Sequence, residues 1–217
     1  MNDYARITSF VRSMAKEDEG TLKEIYLDAI RRGVPVIRPE ARELLKTQLL
    51  LKKPKHVLEI GTAVGYSSIY MTEYLPEDAD VTTLELSEER VAEARSNIER
   101  VGRSSQIQVI CGDAAQTLKS LPDDTYDFAF VDAAKAQYIY YLPDVMRVLV
   151  PGGVIVSDNI LQEGEVLESH FLVEKRNRTI HDRMREYLDV LTHDERLETA
   201  ILPVGDGMAI SILLKNA

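Results

Sequence analysis

The stretch VLEIGTAVGYSS, Val57 to Ser68, decides the fold of this 217-residue chain. An apolar run ends at Gly61, a turn follows to Gly65, and apolar residues at helical spacing come next. A strand, a glycine turn and a helix in this order are typical of an open parallel sheet, which binds ligands beyond the carboxyl ends of its strands. Ala63 stands where the dinucleotide fingerprint G-x-G-x-x-G has its second glycine, so the turn disfavours NAD and leaves other nucleoside ligands.

Strands and helices alternate along the chain that follows, which predicts a parallel sheet covered by helices on both faces. The predicted strands are 56–60, 81–86, 107–110, 126–132 and 152–159, and the predicted helices between them are 68–75, 87–102, 113–121 and 137–149. Residues 197–214 hold two apolar runs around a Gly-Asp-Gly turn, which predicts an antiparallel hairpin at the sheet edge. Between these parts, we expect 161–175 to form a loop over the site and the basic segment 174–188 to be helical.

Three amphipathic stretches, 4–15, 19–32 and 39–51, precede this alternation and predict three helices. Pro39 opens the third, at a position where its missing N–H costs nothing. We predict one domain over residues 1–217. In it, residues 1–51 cover the site or form a dimer interface, and residues 52–217 form the ligand-binding and catalytic core.

Composition limits the function classes. The chain is 45% hydrophobic and 29% charged, which is ordinary for a globular protein, and its net charge of −10 argues against a general affinity for polyanions. A single cysteine, Cys111, excludes an internal disulfide and favours a cytoplasmic location; we expect it in the buried sheet. No window reaches 18 apolar residues and the first residues lack a signal-peptide pattern, so we expect neither membrane spanning nor export.

Acidic residues stand at the ends of three successive predicted strands. Glu59 lies two residues before the turn glycine Gly61, and Glu85 ends the second strand, where a carboxylate can accept two hydrogen bonds from a ribose diol. Asp113 follows the third strand and either caps the next helix or meets an adenine edge. Each acid alone has a structural interpretation, but the series is better explained by a nucleoside site.

This series, together with RVLVPGGVIVSDN at 147–159, resembles the class I S-adenosylmethionine-dependent methyltransferases. The resemblance implies a Rossmann-like α/β fold with a seven-stranded, mostly parallel sheet, a C-terminal antiparallel hairpin and extra N-terminal helices. It implies S-adenosylmethionine as the cofactor, with Glu85 at the ribose and Asp113 and Ala114 at the adenine. The remaining cofactor residues that it implies are Glu59, Gly61, Thr62, Gly65, Tyr66, Ser67 and Asp132.

Oxygen ligands follow the fourth and fifth predicted strands. Asp132 ends the fourth strand, and Asp158 and Asn159 end the fifth. Neighbouring parallel strands lie about 4.8 Å apart, so these side chains converge if the two strands are neighbours. Three oxygen ligands suit a hard divalent cation. The alternatives are a helix cap at Asp132, turn chemistry at Asp158 and Asn159, and a solvated helix lysine at Lys135.

The four histidines do not give a second metal site by their spacing. His56, His170, His181 and His193 do not pair as zinc ligands do in sequence, so we expect surface or core histidines and no zinc.

VDAAK at 131–135 and SDN at 157–159 resemble the cation-dependent O-methyltransferases of the catechol and caffeoyl-CoA type, and PVGDG at 203–207 fits the same pattern. The resemblance implies that Asp132, Asp158 and Asn159 bind Mg²⁺ (or Mn²⁺). It implies that Lys135 acts as the base, or as the electrostatic partner of the substrate oxygen, beside Asp132. Members of this family are commonly homodimers.

Within this family the chain resembles the bacterial tRNA 5-hydroxyuridine methyltransferases. The shared segments are VPVIRPEARELL, VDAAKAQY, SDNIL, EKRNRTIHDRMREYL and LPVGDGMAIS. The resemblance implies the tRNA anticodon loop as partner, and the candidate RNA contacts are Arg31, Arg32, Arg38, Lys175, Arg176 and Arg178. Alternatives are small catechols as substrates, a cofactor-binding protein without catalysis, and, for each basic patch, a solvated helix face.

Overall fold

A computed structural model describes residues 3–215 of the chain. Its seven strands are β1 (His56–Ile60), β2 (Asp80–Glu85), β3 (Ile107–Cys111), β4 (Tyr126–Val131), β5 (Leu149–Ser157), β6 (Leu197–Leu202) and β7 (Met208–Leu213). The α-helices in the same residues are α1 (Asp3–Ser13), α2 (Gly20–Arg31), α3 (Pro39–Lys52), α4 (Tyr66–Thr72), α5 (Glu88–Arg100), α6 (Ala114–Ser120), α7 (Tyr138–Val148) and α8 (Arg178–His193).

The strands form one sheet in the order β3-β2-β1-β4-β5-β7-β6. The first five are parallel, whereas β7 pairs antiparallel with both β5 and β6. The predicted Rossmann-like sheet with a C-terminal antiparallel hairpin is therefore confirmed. Chain order reverses between β1 and β4, and such a switch point opens a crevice at the carboxyl ends of the strands.

Apolar side chains of the central strands alternate between two buried layers. Phe128 and Phe130 of β4 pack with the helices of the N-terminal half, while Ala129 and Val131 pack with α7 and α8. Each central strand is buried on both faces, which explains why these strands read as continuous apolar runs. No α-helix within residues 3–215 is long and apolar enough to cross a membrane.

Four details differ from the sequence-based expectation. Helix α4 begins at Tyr66, directly after the turn, and Leu149 already belongs to β5, so the predicted helix ends one residue earlier. Cys111 is the last residue of β3, as expected for a strand residue of the sheet, but it is exposed and not buried. The segment 161–175, expected to be a loop, begins with a 3₁₀ turn at Gln162–Leu167.

A buried polar cluster fixes the N-terminal helices to the core. The Arg42 guanidinium of α3 donates to Asp18 at 2.6 Å and to the Tyr66 hydroxyl at 2.7 Å, and all three side chains are at least nine-tenths buried. This pairing compensates the buried charges and ties the segment between α1 and α2 to α3 and α4. Helix α1 exposes three apolar side chains (Ile7, Phe10 and Val11), and Met14 directly after it is exposed as well. The expected dimer interface there stays a prediction.

Candidate functional site

A cleft of about 560 Å³ lies at the carboxyl ends of β1, β2 and β4, at the switch point of the sheet. We call this space the cofactor cleft, because most of the predicted cofactor residues line it. The loop between α2 and α3 closes one side of it through Pro35, Val36 and Ile37. The sequence-predicted residues that line it are Gly61, Thr62, Tyr66, Ser67, Glu85, Asp113, Ala114, Asp132, Lys135 and Asn159. Most of the predicted cofactor set therefore surrounds one cavity.

The turn after β1 needs both of its glycines. Gly61 has φ +106°, and a Cβ there would lie 2.0 Å from the carbonyl oxygen of Asp132. Gly65 has φ +81°, with the backbone of Ala94 on α5 close by. Only glycine adopts such conformations readily at these contacts, so the turn passes close to β4 and leaves its own backbone facing the cleft.

Glu59 lies behind this turn and does not line the cleft. The Ser68 and Thr83 hydroxyls donate to its Oε2, and burial raises its pKa to about 6. Its Oε1 is buried and has no hydrogen-bond partner within residues 3–215. The prediction that Glu59 belongs to the cofactor site is therefore modified by the structure: this carboxylate positions the turn from behind.

Glu85 and Asp113 face the cleft and also fix the backbone around it. Glu85 accepts hydrogen bonds from the amides of Ala63 and Ser87, both at 2.9 Å. Asp113 accepts from the Ala115 amide at 2.9 Å and so caps α6. The cap that competed with the adenine-binding interpretation is therefore present, and the carboxylate still lines the cavity.

Tyr66 has a different role for its side chain than the sequence suggested. Its hydroxyl donates to Asp18 at 2.6 Å and accepts from Arg42, and the ring is 1% exposed. Burial and the hydrogen bond to Asp18 raise the pKa of the phenol well above its usual value. The polar end of Tyr66 thus belongs to the buried cluster, although the residue also lines the cleft.

The structure brings Asp132, Asp158 and Asn159 together, because β4 and β5 are neighbours. Val131 is in register with Ser157, and the Asp158 amide donates to the Val131 carbonyl at 3.0 Å. Asn159 has φ +56°, so the chain turns sharply directly after Asp158. Strand pairing therefore sets this cluster, and each side chain comes from the first residues after its strand.

Asp158 is the most deeply buried member, at 1% exposure. Its Oδ1 accepts from the Asn159 amide at 2.7 Å, but its Oδ2 is buried with no hydrogen-bond partner within residues 3–215. Burial, and then repulsion from Asp132, raise the pKa of the Asp158 carboxyl, and burial raises that of Asp132. A buried acid with a partnerless oxygen, beside a second acid that is partly buried, is costly unless a cation binds there, so the donor set fits a divalent cation that prefers oxygen ligands.

Sequence reasoning missed Asp206, which faces this cluster from the turn between β6 and β7. Asp206 is 6% exposed; its Oδ2 lies 3.4 Å from the Lys135 Nζ, and its Oδ1 accepts from the Glu163 amide. The motif PVGDG contains Asp206, but spacing alone gave no reason to place this hairpin turn beside β4. Gly207 makes the approach possible, since a Cβ there would lie 2.2 Å from Cγ of Leu161.

A second cavity, of about 810 Å³, lies on the other side of Asp206. Its walls come from α1, from the 3₁₀ turn at Gln162–Leu167 and from the β6–β7 turn. Lys135 lines the cofactor cleft and Asp206 lines this second cavity, so their ion pair marks the junction. We call the second space the acceptor cavity.

The tyrosines after Lys135 divide into three roles. Tyr138 is buried, its hydroxyl lies 3.2 Å from the Val131 carbonyl and 3.1 Å from that of Asp158, and it accepts from the Ala133 amide. It thus joins the ends of β4 and β5 and positions their acids. Tyr141 lines the cofactor cleft. Tyr140 is exposed and stacks on Arg183.

The candidate RNA contacts near the N-terminus lie in two places. Arg31 pairs with Asp28, and Arg32 pairs with Asp28 and with Glu93 on α5, away from the acceptor cavity. Arg38 lines the acceptor cavity and bonds Glu163 at 3.2 Å. Of these three arginines, Arg38 is the one that the fold places at the site.

The candidate contacts before and on α8 are also unequal. Arg178 donates to two carbonyl oxygens of the preceding loop, so its guanidinium stabilises that loop. Arg176 is 80% exposed and pairs with the equally solvated Glu174, and Lys175 is exposed. Lys175 and Arg176 are therefore the basic side chains of this segment that a partner can reach without disturbing the fold.

Two of the histidines come together in a way that their spacing in sequence did not predict. His170 and His181 both lie beside Asp182, with their Nδ1 atoms 2.8 and 3.0 Å from its Oδ1. The irregular segment before α8 folds back and brings residue 170 onto the helix. His181 is a buried core histidine and His170 is partly exposed, which agrees with the expectation of surface or core histidines.

Comparison with known proteins identifies the family. A model of the O-methyltransferase family matches residues 13–214. The chain belongs to the O-methyltransferase family. A catechol O-methyltransferase of Niastella koreensis is 33% identical over 191 residues, which cover 83% of this chain and 84% of that protein. A caffeoyl-CoA O-methyltransferase of Stellaria longipes is 34% identical over 178 residues, covering 78% and 73%.

Solved structures agree with this family. An O-methyltransferase from Bacillus cereus, in complex with SAH, superposes with a TM-score of 0.82 at 26% identity and covers 96% of this chain and 97% of that one. The O-methyltransferase fold of this chain is thus shared over nearly its whole length, including the N-terminal helices. Because the similar proteins are O-methyltransferases, the chain is an enzyme of this family, and the alternative of a cofactor-binding protein without catalysis is disfavoured.

Proposed function

We propose that this O-methyltransferase uses S-adenosylmethionine and a divalent cation to methylate a hydroxyl group that lies beside a second oxygen. We propose further that its substrate is 5-hydroxyuridine at the wobble position of tRNA, giving 5-methoxyuridine. The observation that carries the chemistry is the cluster of Asp132, Asp158 and Asn159 beside Lys135, at the junction of the cofactor cleft and the acceptor cavity.

The cofactor cleft supports S-adenosylmethionine as the methyl donor. It adjoins the switch point of the sheet and offers Glu85 for a ribose diol and Asp113 with Ala114 for an adenine. The related Bacillus cereus enzyme was solved with SAH, which is the product that S-adenosylmethionine leaves after methyl transfer. Bound there, the cofactor would supply the electrophilic methyl group for the transfer, and Lys135 lines the same cleft.

The cation would be held by Asp132, Asp158 and Asn159, and Mg²⁺ or Mn²⁺ suits their oxygens. When bound, such an ion supplies positive charge that favours the ionised form of a nearby hydroxyl. The chain's own residues do the rest. Tyr138 holds the two strand ends together. Asp206 holds Lys135 in place. The Lys135 ammonium stabilises the oxyanion of the acceptor, and Nζ in its neutral form can take the acceptor's proton.

The choice of tRNA rests on chemistry and on the sequence segments that resemble tRNA 5-hydroxyuridine methyltransferases. The 5-hydroxyl and 4-carbonyl oxygens of 5-hydroxyuridine are neighbours, as the two oxygens of a catechol are. Anticodon-loop bases are single-stranded and can be turned out into a pocket. The acceptor cavity, at about 810 Å³, offers room for a base, and Arg38 lies in its wall while Lys175 and Arg176 are exposed.

Small catechols are the second candidate, and a specific observation favours them. The similar protein from Niastella koreensis is a catechol O-methyltransferase, and the acceptor cavity also has room for a small ring. A catechol needs no phosphate contacts, so basic side chains outside the cavity would not affect its methylation.

A direct assay separates the two substrates. The purified chain is incubated with labelled S-adenosylmethionine, Mg²⁺ and either tRNA that contains 5-hydroxyuridine or a panel of catechols. We expect label in tRNA at the wobble nucleoside, identified by mass spectrometry after digestion. Efficient turnover of catechols with unlabelled tRNA would instead establish the second candidate. A deletion strain should accumulate unmethylated 5-hydroxyuridine.

Charge reversal of the exposed basic pair tests the RNA contact. We expect Lys175→Glu with Arg176→Glu to raise the tRNA KM by about 10-fold or more, because each removed phosphate contact weakens electrostatic binding. Catechol kinetics should stay unchanged. The matched control is Arg31→Glu, since Arg31 already pairs with Asp28 away from the acceptor cavity. Unchanged tRNA kinetics in the double variant would place the RNA elsewhere.

Stability without the cation should fall as pH rises. The folded protein raises the pKa of Glu59 from 4.5 to about 6, so its ionisation destabilises the fold by about 2 kcal/mol between those pH values. Asp132 and Asp158 have raised pKa values for the same reason, burial, and extend the loss to about pH 7. We therefore expect Mg²⁺ to raise the melting temperature more at pH 8 than at pH 5.

Differential scanning fluorimetry with and without Mg²⁺ measures this difference. Asp158→Asn serves as the control, because it removes a buried charge and should abolish the Mg²⁺ increment at both pH values. Equal Mg²⁺ increments at pH 5 and pH 8 in the unmodified chain would show that the cation does not bind at these acids.

A further inference from the structure

We propose a second metal site, for Zn²⁺ or a similar transition metal, at His170, His181 and Asp182. It lies apart from the acids of β4 and β5, in a separate cavity of about 550 Å³ between α8 and the loop that precedes it. The Nδ1 atoms of His170 and His181 lie 2.8 and 3.0 Å from Oδ1 of Asp182, and all three ligand atoms are within 4.8 Å of one another. Small shifts bring such a group to the separations that a tetrahedral ion needs.

Hydrogen bonding already orients the buried ligand. His181 is 1% exposed, and its Nε2 lies 3.0 Å from the carbonyl oxygen of Glu168. A carbonyl can only accept, so Nε2 carries a hydrogen and donates to it. Nδ1 donates to Asp182 in the structure, and when it gives up that hydrogen its lone pair becomes available to a metal ion. A ligating histidine is typically fixed in this way, by donating from its other nitrogen to a backbone carbonyl.

The ligand types distinguish this site from the catalytic one. Two imidazole nitrogens and one carboxylate oxygen suit Zn²⁺, whereas the cluster around Asp158 offers oxygens alone. His170 and Asp182 are about half exposed, so an ion can enter from solvent and keep a water as its fourth ligand. Arg185 also lines the cavity, and its positive charge lowers the affinity that we expect.

A metal here would tie the loop before α8 to the helix. That loop exposes Leu167, Phe171 and Leu172, each more than 70% accessible, so few apolar contacts hold it. Leu167 lines both this cavity and the acceptor cavity. Metal binding at His170 would therefore order one wall of the acceptor cavity without contact with the reacting groups.

Zinc titration of the full-length chain in saturating Mg²⁺, by isothermal calorimetry and by metal analysis after dialysis, tests the site. We expect one Zn²⁺ per chain. His170→Ala and Asp182→Asn should each weaken binding by about 10- to 100-fold or more. His193→Ala is the matched control, because His193 is an exposed histidine of the same helix that pairs only with Asp189 and Thr192. Substitution of the buried His181 is avoided, since it can unfold the chain.

Two further measurements keep the outcomes distinct. Asp158→Asn should still bind Zn²⁺; if it loses the ion while His170→Ala retains it, zinc occupies the catalytic acids and the proposal is wrong. Hydrogen exchange of residues 165–177 should slow with Zn²⁺ in the unmodified chain and in His193→Ala, but not in His170→Ala. Equal zinc affinity in all variants would mean that Asp182 simply bridges two imidazoles through hydrogen bonds.

Discussion

Asp158→Asn is expected to reduce kcat/KM by more than about 100-fold while the chain still binds S-adenosylhomocysteine. Loss of a residue that only orients a metal ligand commonly lowers metal affinity or activity by about 10- to 100-fold. Asp158 would contact the ion directly, so the effect should be larger. Asparagine keeps an oxygen that can accept from the Asn159 amide, which is 2.7 Å away in the structure. The substitution thus removes the charge and leaves the turn after β5 in place.

The same variant should fold at least as well as the unmodified chain when no cation is present. Asp158 is 1% exposed, its Oδ2 has no partner within the described residues, and its carboxylate lies next to Asp132. A neutral amide relieves that repulsion. If the carboxylate were only structural, its replacement would lower both activity and stability. Lower activity with unchanged or higher stability therefore identifies a functional carboxylate.

The control is Asp127→Asn, at the other end of β4. Asp127 accepts from the backbone amides of Lys55 and His56, at the amino-terminal ends of β1 and β4 and away from both cavities. We expect nearly normal kcat/KM in this variant. Calorimetric titration with S-adenosylhomocysteine and steady-state kinetics at several Mg²⁺ concentrations complete the comparison. Full activity of Asp158→Asn would remove the metal-dependent chemistry from this site.

The fold could be predicted from sequence because its signals are local. Each element is marked in its own stretch of sequence. Glycines mark the turn between Gly61 and Gly65, and continuous apolar runs mark the buried strands β1 and β4. Strand neighbours then follow from the rules for parallel sheets, so the convergence of Asp132 with Asp158 could be predicted before any coordinates.

The parts that could not be predicted depend on how distant segments pack. Asp206 reaches Lys135 through a hairpin turn 71 residues away in sequence. The loop that carries His170 folds back onto α8, a contact that no sequence spacing records. Glu59 was placed in the cofactor site by its position before Gly61, but its side chain points to Ser68 and Thr83, because alternate residues of a strand face opposite layers.

Lys135→Met is expected to lower kcat by about 100- to 10,000-fold, the range in which a positioned proton-transfer group contributes. Methionine keeps the length of the side chain and removes its charge and its protons. The KM for S-adenosylmethionine should change little, since the ribose and adenine contacts that we propose lie at Glu85 and Asp113, on other strands. Lys135→Arg should restore part of the rate if the positive charge is what stabilises the acceptor oxyanion.

Asp206→Asn distinguishes positioning from direct catalysis. Asp206 holds the Lys135 Nζ at 3.4 Å, and its other oxygen accepts from the Glu163 amide, so asparagine preserves the turn but weakens the ion pair. We expect kcat to fall by about 10-fold, which is less than in Lys135→Met. The losses should not add in the double variant, because both changes affect the same ammonium group.

The pH profile of Lys135→Met gives the decisive readout. Without the ammonium, the acceptor hydroxyl must ionise without help from Lys135. The residual rate should therefore rise steeply as pH increases through the range in which that hydroxyl titrates. The unmodified chain and Asp206→Asn should show a flatter rise over the same range. Parallel profiles in all three proteins would mean that Lys135 does not act on the acceptor proton, and that its ion pair with Asp206 only shapes the junction between the two cavities.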